Sequence, residues 1–171
     1  MDWGPPGLIA PGISQRWLQG HPHVEGLLDE WPPERIRQVL DAVLELWGCL
    51  DLTAAMEWSW NPRLRTTAGR AVFIDMLIEL NPLLLARHPE EMEALLVHEA
   101  AHLVVQRLHG RQPPHGEIWK AYMRKAGHST RATHELDVRG LRRKGRLTRH
   151  RRTGSKVEAL LRKVLQGTRL R

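Results

Sequence analysis

Five consecutive residues, His98-Glu99-Ala100-Ala101-His102, carry the chemistry that stands out in this chain. They read H-E-x-x-H and lie in an apolar, helix-forming run from Glu93 to Leu108. On a helix, residues four apart share one face, so both imidazoles can reach one metal ion. Glu99 sits beside that ion, placed to handle a water proton. A third histidine, His115, follows Pro113-Pro114 and precedes Gly116, just past an expected turn. Leu95-Leu96-Val97 before the motif and Leu103-Val104-Val105 after it imply a buried helix. Two histidines and a glutamate on a buried helix are costly unless they are paired or metal-bound. A single zinc ion removes that cost.

Other residues compete for the third ligand position. Glu117 and Glu135 follow the motif, and some zinc peptidases use a glutamate there. His109 lies seven residues after His102, near the same face, but its place just before Gly110 fits a solvated helix end favoured by the dipole. His115 is preferred because Gly116 allows close backbone approach. The metzincin pattern fails, because it needs glycine at position 105 and histidine at 108, where this chain has Val105 and Leu108. Partners for the second ring N–H of each ligand are expected; Asp75, Glu79 and Asp137 are candidates. His134 is a candidate to line the cleft, whereas His21, His23, His88, His128 and His150 read as surface residues.

The elements that must hold these groups can be read from periodicity. Pro33 opens a helix over about 34–49, with Ile36, Val39, Leu40, Val43, Leu44 and Trp47 at helical spacing. Residues 56–60 alternate apolar and polar as a half-buried strand does. Residues 68–73 and 76–80 read as a second and third strand, and Asn81-Pro82 starts a short helix over about 83–86. Glu90, Glu91 and Glu93 enrich the first turn of the metal helix, expected over about 90–109. A further helix over about 117–126 ends at Gly127. Trp119 and Tyr122 share a face of it, with packing onto the metal helix favoured over substrate binding. Trp58 and Trp60 share a strand face, with core packing favoured over base stacking or capping of the cleft. The fold class is therefore α+β: a small antiparallel or mixed three-stranded sheet packed on helices, with a zincin-type active-site helix.

The 171 residues suit one domain with tails, and 42% apolar residues suffice for a core. Residues 1–31, rich in Gly, Pro and His, read as an extension that packs partly or not at all. The domain proper is expected over 32–138, and a basic tail over 139–171. One cysteine, Cys49, excludes an intrachain disulfide or a cysteine-built zinc site within the chain. No apolar run approaches a membrane span, no secretory signal is expected, and the cytoplasm is the simplest address, with the nucleoid its bacterial form.

Charge is unevenly spread. The net is +7, yet residues 1–138 carry −5 and residues 139–171 carry +12. A basic arm on an acidic body suggests a polyanion, usually nucleic acid. Arg142, Arg143, Lys144, Arg146, Arg149, Arg151 and Arg152 are the candidate DNA contacts, followed by amphipathic helical spacing over 156–165.

Four segments taken in order extend the metal motif. They are Asn61-Pro62-Arg63-Leu64-Arg65-Thr66-Thr67-Ala68-Gly69-Arg70-Ala71, Ile78-Glu79-Leu80-Asn81-Pro82, the H-E-x-x-H run, and His115-Gly116-Glu117-Ile118-Trp119. Over roughly residues 33–138 this order resembles a SprT-like metallopeptidase domain, the family that includes the Spartan proteases of DNA–protein crosslink repair. The resemblance implies zinc-dependent peptide cleavage, with His98, His102 and His115 as ligands of one Zn²⁺ and Glu99 as general acid/base. It also implies a protein substrate and stimulation by DNA. Many relatives carry a C-terminal zinc ribbon of paired cysteines; this chain ends instead in its Arg/Lys tail, on which any DNA coupling must rest. The competing expectations are a zinc peptidase with no nucleic-acid link, and a nucleic-acid-binding module whose zinc is structural.

Overall fold

The computed structural model describes residues 8–131. The tail cations from Arg142 to Arg152, the amphipathic spacing over 156–165, and His134, Glu135, Asp137 and His150 lie outside them.

The chain opens with a short antiparallel pair, β1 (Leu8–Ala10) and β2 (Ile13–Ser14), followed by helices α1 (Gln15–Gln19) and α2 (Glu25–Glu30). Of the extension expected to pack partly or not at all, residues 8–31 put Ile13, Leu27 and Trp31 into the same buried cluster as the rest of the core. A long-range hydrogen bond ties the pair to the rest of the fold, because the Trp60 N–H donates to the Pro11 carbonyl at 2.9 Å. Gly12 makes that approach possible. Its φ is +84°, and a β-carbon there would overlap the Trp60 carbonyl oxygen.

Helix α3 spans Pro33–Trp47 and buries Ile36, Leu40, Val43, Leu44 and Trp47, the stripe its periodicity dictates. It stops at Gly48 (φ 75°), where the Gly48 and Cys49 N–H groups return to the Glu45 and Leu44 carbonyls in a Schellman arrangement.

Three strands come next: β3 (Glu57–Trp60), β4 (Gly69–Val72) and β5 (Leu77–Leu80). Their order is β3-β5-β4, with β3 parallel and β4 antiparallel to β5, so the sheet is mixed. Alternation sends Trp58, Trp60, Ile78 and Leu80 inward. The third strand is one residue shorter than its apolar run suggests, since Met76 takes a positive φ of 49° in the turn from β4.

Asn81 caps the short helix α4 (Pro82–Leu85). Its side-chain oxygen accepts from the Leu83 and Leu84 N–H groups, and its amide donates to the Thr67 carbonyl at 3.1 Å. One buried side chain thus starts a helix and pins the segment that leads into β4.

A 3₁₀ turn over Pro89–Glu91 precedes α5 (Met92–His109), so the helix that carries the H-E-x-x-H run begins two residues later than its acidic cluster suggests. Helix α5 packs against β4 and β5 and also against α3 and α6 (Glu117–Lys125). That surround is why Leu95 to Ala101 and Leu103 to Val105 are all buried. Among the described residues no helix is long and apolar enough to cross a membrane.

Candidate metal centre

Helix α5 supplies His98, Glu99 and His102 from its middle, where burial in the core fixes the backbone. His115 arrives from the other side, on the loop between α5 and α6. It holds a φ of 54°, a left-handed conformation that a non-glycine residue adopts only when its surroundings impose it. Gly116 then turns the chain into α6. Its N–H donates to the Pro113 carbonyl at 3.0 Å, and a β-carbon there would crowd that same oxygen at 3.0 Å.

These elements bring three nitrogens into a near-equilateral triangle. The Nε2 atoms lie 3.2 Å apart for His98 and His102, 3.1 Å for His102 and His115, and 3.1 Å for His98 and His115. Three such contacts cannot all be hydrogen bonds. Each Nε2 of a neutral ring either donates or accepts, so at least one of the three pairs must oppose like partners. A cation at the centre satisfies all three at once. Metal–nitrogen bonds of about 2.0–2.1 Å in a tetrahedral site place ligand nitrogens roughly 3.3 Å apart, close to the spacing found. His98, His102 and His115 are the one group of three or more His, Cys, Asp or Glu residues among the described residues that could hold a metal ion.

The electrostatics favour the same reading. Burial, aided by His115, pushes the His102 pKa down to about 4 from 6.5, and burial lowers that of His115 as well. Both rings are thereby kept neutral, the form that binds metal. Burial raises the Glu99 carboxyl to about 7, opposed in part by a hydrogen bond from the Ala71 backbone. A carboxyl poised near neutrality can take up and release a proton at physiological pH.

A cleft of about 670 Å³ opens onto these groups. Glu99, His102 and His115 lie in its wall with Trp119, and β4 contributes Gly69, Arg70 and Ala71. Among the described residues strand β4 is an edge of the sheet, with no strand partner on one side of its backbone. Gly69 lets α5 and β4 approach: a β-carbon there would meet Leu95 and the Glu79 carbonyl at 3.2 Å.

The sequence favours packing over substrate binding for Trp119, and the structure puts it beside all three histidines. The indole is 1% exposed, and its ring centroid lies 4.7 Å from His98, 5.5 Å from His102 and 4.8 Å from His115. Its N–H donates to the His98 carbonyl at 3.3 Å. The H-G-x-x-W spacing carried the signal, since it puts an indole one turn into the helix that succeeds the ligand. Tyr122, on the same helix, instead engages His109, with Oη and Nε2 3.2 Å apart, which accounts for His109 outside the triad. Glu117 is fully exposed and bonds Lys120 at 2.9 Å. Glu79 is bound to Arg70 and Asn61, and Asp75 is exposed, so neither is seen to orient a ligand histidine.

Similarity to known proteins covers the same segment. The family model described as the SprT-like family matches residues 42–139. Protein SprT of Shigella boydii serotype 18 is 40% identical over 80 residues, covering 46% of this chain and 48% of its own. Protein SprT of Escherichia coli strain 55989 matches with the same identity and coverage. The chain thus spans about half the length of these curated relatives. No solved structure matches.

Proposed function

The chain belongs to the SprT-like family, and from that premise we propose that it is a zinc-dependent endopeptidase that cleaves proteins on or near DNA. The observation that carries the proposal is the triangle of three imidazole nitrogens beside a buried glutamate, at the wall of an open cleft. The donor set is all imidazole, which suits zinc among the common biological metals. His98, His102 and His115 would hold it. Bound there, zinc would supply Lewis-acid activation of water and polarisation of the scissile carbonyl.

The chain's own groups do the rest. Glu99 comes one residue after a ligand, so it adjoins the ion without binding it. It takes the attacking water's proton and passes it to the leaving amine. The cleft leaves room for an extended peptide along β4, whose outer backbone can pair with it. Trp119 backs the triad and keeps water from that side.

Only three protein donors converge among the described residues. A closed structural zinc site takes four. A nucleic-acid-binding module with structural zinc would need a fourth protein donor at this site. The nucleic-acid half of the proposal rests on charge, namely the +12 carried by residues 139–171. A cytoplasmic or nucleoid-associated location goes with that partner. The second reading, a zinc peptidase without nucleic-acid coupling, keeps the same site and assigns the tail to another polyanion.

Cleavage of a DNA-binding protein by the zinc-loaded chain, with and without single-stranded DNA, separates them. Stimulation by DNA supports the crosslink-protease reading. Equal cleavage in both conditions favours the second.

A further inference from the structure

A second concavity lies at the opposite edge of the sheet from the metal cleft. It is a groove of about 540 Å³ between the N-terminal strand pair and the segment that joins β3 to β4. Gly12, Ser14 and Trp17 line one wall, and Asn61, Arg63 and Arg65 line the other, with Trp60 between them. No acidic residue among the described residues lines it.

Its aromatic surface is held in place. Trp17 stacks on His21 with ring centroids 4.2 Å apart and planes 13° from parallel. His21 is fixed in turn, its Nδ1 lying 2.9 Å from the Trp17 carbonyl. One indole face is therefore occupied, and Trp17 also packs against the hydrophobic core, leaving it half-buried with its remaining surface in the groove wall.

The cations opposite are uncommitted. Arg63 and Arg65 are exposed and form no ion pair among the described residues. Residues 61–73 contain three arginines and no acid, within a body whose net charge is −5 over residues 1–138. The backbone at Arg63 is tied down: the Arg63 N–H donates to the Asn61 side chain at 2.9 Å, and Asn61 is bound to Glu79. A local excess of arginine against that background selects a polyanion, and a fixed indole beside it selects one with flat rings.

We propose that this groove binds single-stranded nucleic acid, with Trp17 stacking on a base and Arg63 and Arg65 holding flanking phosphates. The proposal deepens the nucleic-acid half of the reading above, and it places a second contact on the folded domain in addition to the tail. The segment over residues 61–68 runs from the groove to β4 of the metal cleft, across two strand spacings, about 10 Å. A strand bound in the groove would therefore hold protein cargo beside the cleft.

The test uses the full chain and measures anisotropy of a labelled twelve-residue oligothymidylate and of an abasic strand of equal length, over a range of salt. Four proteins are compared with the unaltered chain: Trp17→Ala, Trp17→Phe, the double variant Arg63→Ser/Arg65→Ser, and one in which the seven tail cations are replaced by serine. Loss of one stacked base is expected to weaken oligothymidylate binding about tenfold in Trp17→Ala, less in Trp17→Phe, with abasic affinity unchanged. Removing two phosphate contacts is expected to flatten the salt slope by about 1.4 in the double arginine variant. Those two arginines are exposed, so their removal does not threaten the fold if Trp17→Ala does.

Unaltered binding in both Trp17→Ala and the double arginine variant, with loss only in the tail variant, would overturn the groove and leave the tail reading intact. No binding by the unaltered chain would overturn both. Competition by polyglutamate as effective as that by oligothymidylate would also overturn the groove, by assigning it to acidic protein.

Discussion

His102 and Glu99 respond to acid in opposite senses, and both responses can be measured. The His102 pKa is depressed to about 4, so its contribution to stability is full above 6.5 and is lost as pH falls through 4. The metal-free chain should therefore lose melting temperature across that window, and metal should dissociate in it, as read by scanning calorimetry and a chelating dye. Glu99 is raised to about 7, so folding favours its neutral form: that stability is full below 4.5 and lost as pH rises through 7. Glu99→Gln should accordingly raise the melting temperature of the metal-free chain at pH 8 and leave it unchanged near pH 4. A variant less stable than the original at pH 8 would contradict the buried-carboxylate account. His115→Ala removes one of the three proposed zinc ligands and should lower zinc affinity at least tenfold by competition titration, with a parallel loss of cleavage. The motif pair and its glutamate were legible because helical spacing fixes their face. Candidacy of His115 was legible too, but its left-handed φ of 54° was not, since neighbours rather than local preference impose it.

Helix α5 and strand β4 define the site at the level of elements, and Gly69 sets their separation. Gly69→Val would push a branched side chain against Leu95 and the Glu79 carbonyl, each already 3.2 Å from a single β-carbon. A loss of about 1–3 kcal/mol is expected, read by denaturant unfolding, together with weakened activity as β4 moves off Glu99. The three strands and the helices from α3 onward were readable, because periods of two and of three to four residues survive in their apolar residues. Residues 8–31 were not. Their strands are two and three residues long, their helices five and six, and what holds them is burial of Ile13, Leu27 and Trp31 in the common core together with a hydrogen bond to Trp60, far along the chain. Local pattern cannot announce a contact of that kind. Trp119 was likewise legible as packing but not as the neighbour of all three histidines, because that depends on how α6 docks against α5.

At the scale of the whole molecule, an acidic body with the candidate metal cleft carries a strongly basic tail, and the proposed function divides labour between them. Deleting residues 139–171 should leave zinc stoichiometry and peptide cleavage intact while the salt slope of single-strand binding falls. Seven cations engaged at about 0.7 each predict a decrease near 5. An unchanged slope would show that the tail makes no phosphate contacts.

The central claim is that the histidine triad and Glu99 form a hydrolytic metal site. The most direct measurement pairs zinc content with peptide-bond cleavage for the original chain and Glu99→Gln. One zinc per chain is predicted in both, with cleavage by the original and a rate at least about a hundredfold lower in the variant. Equal cleavage by Glu99→Gln, or a zinc-loaded original chain that cleaves no protein substrate with or without DNA, would contradict it.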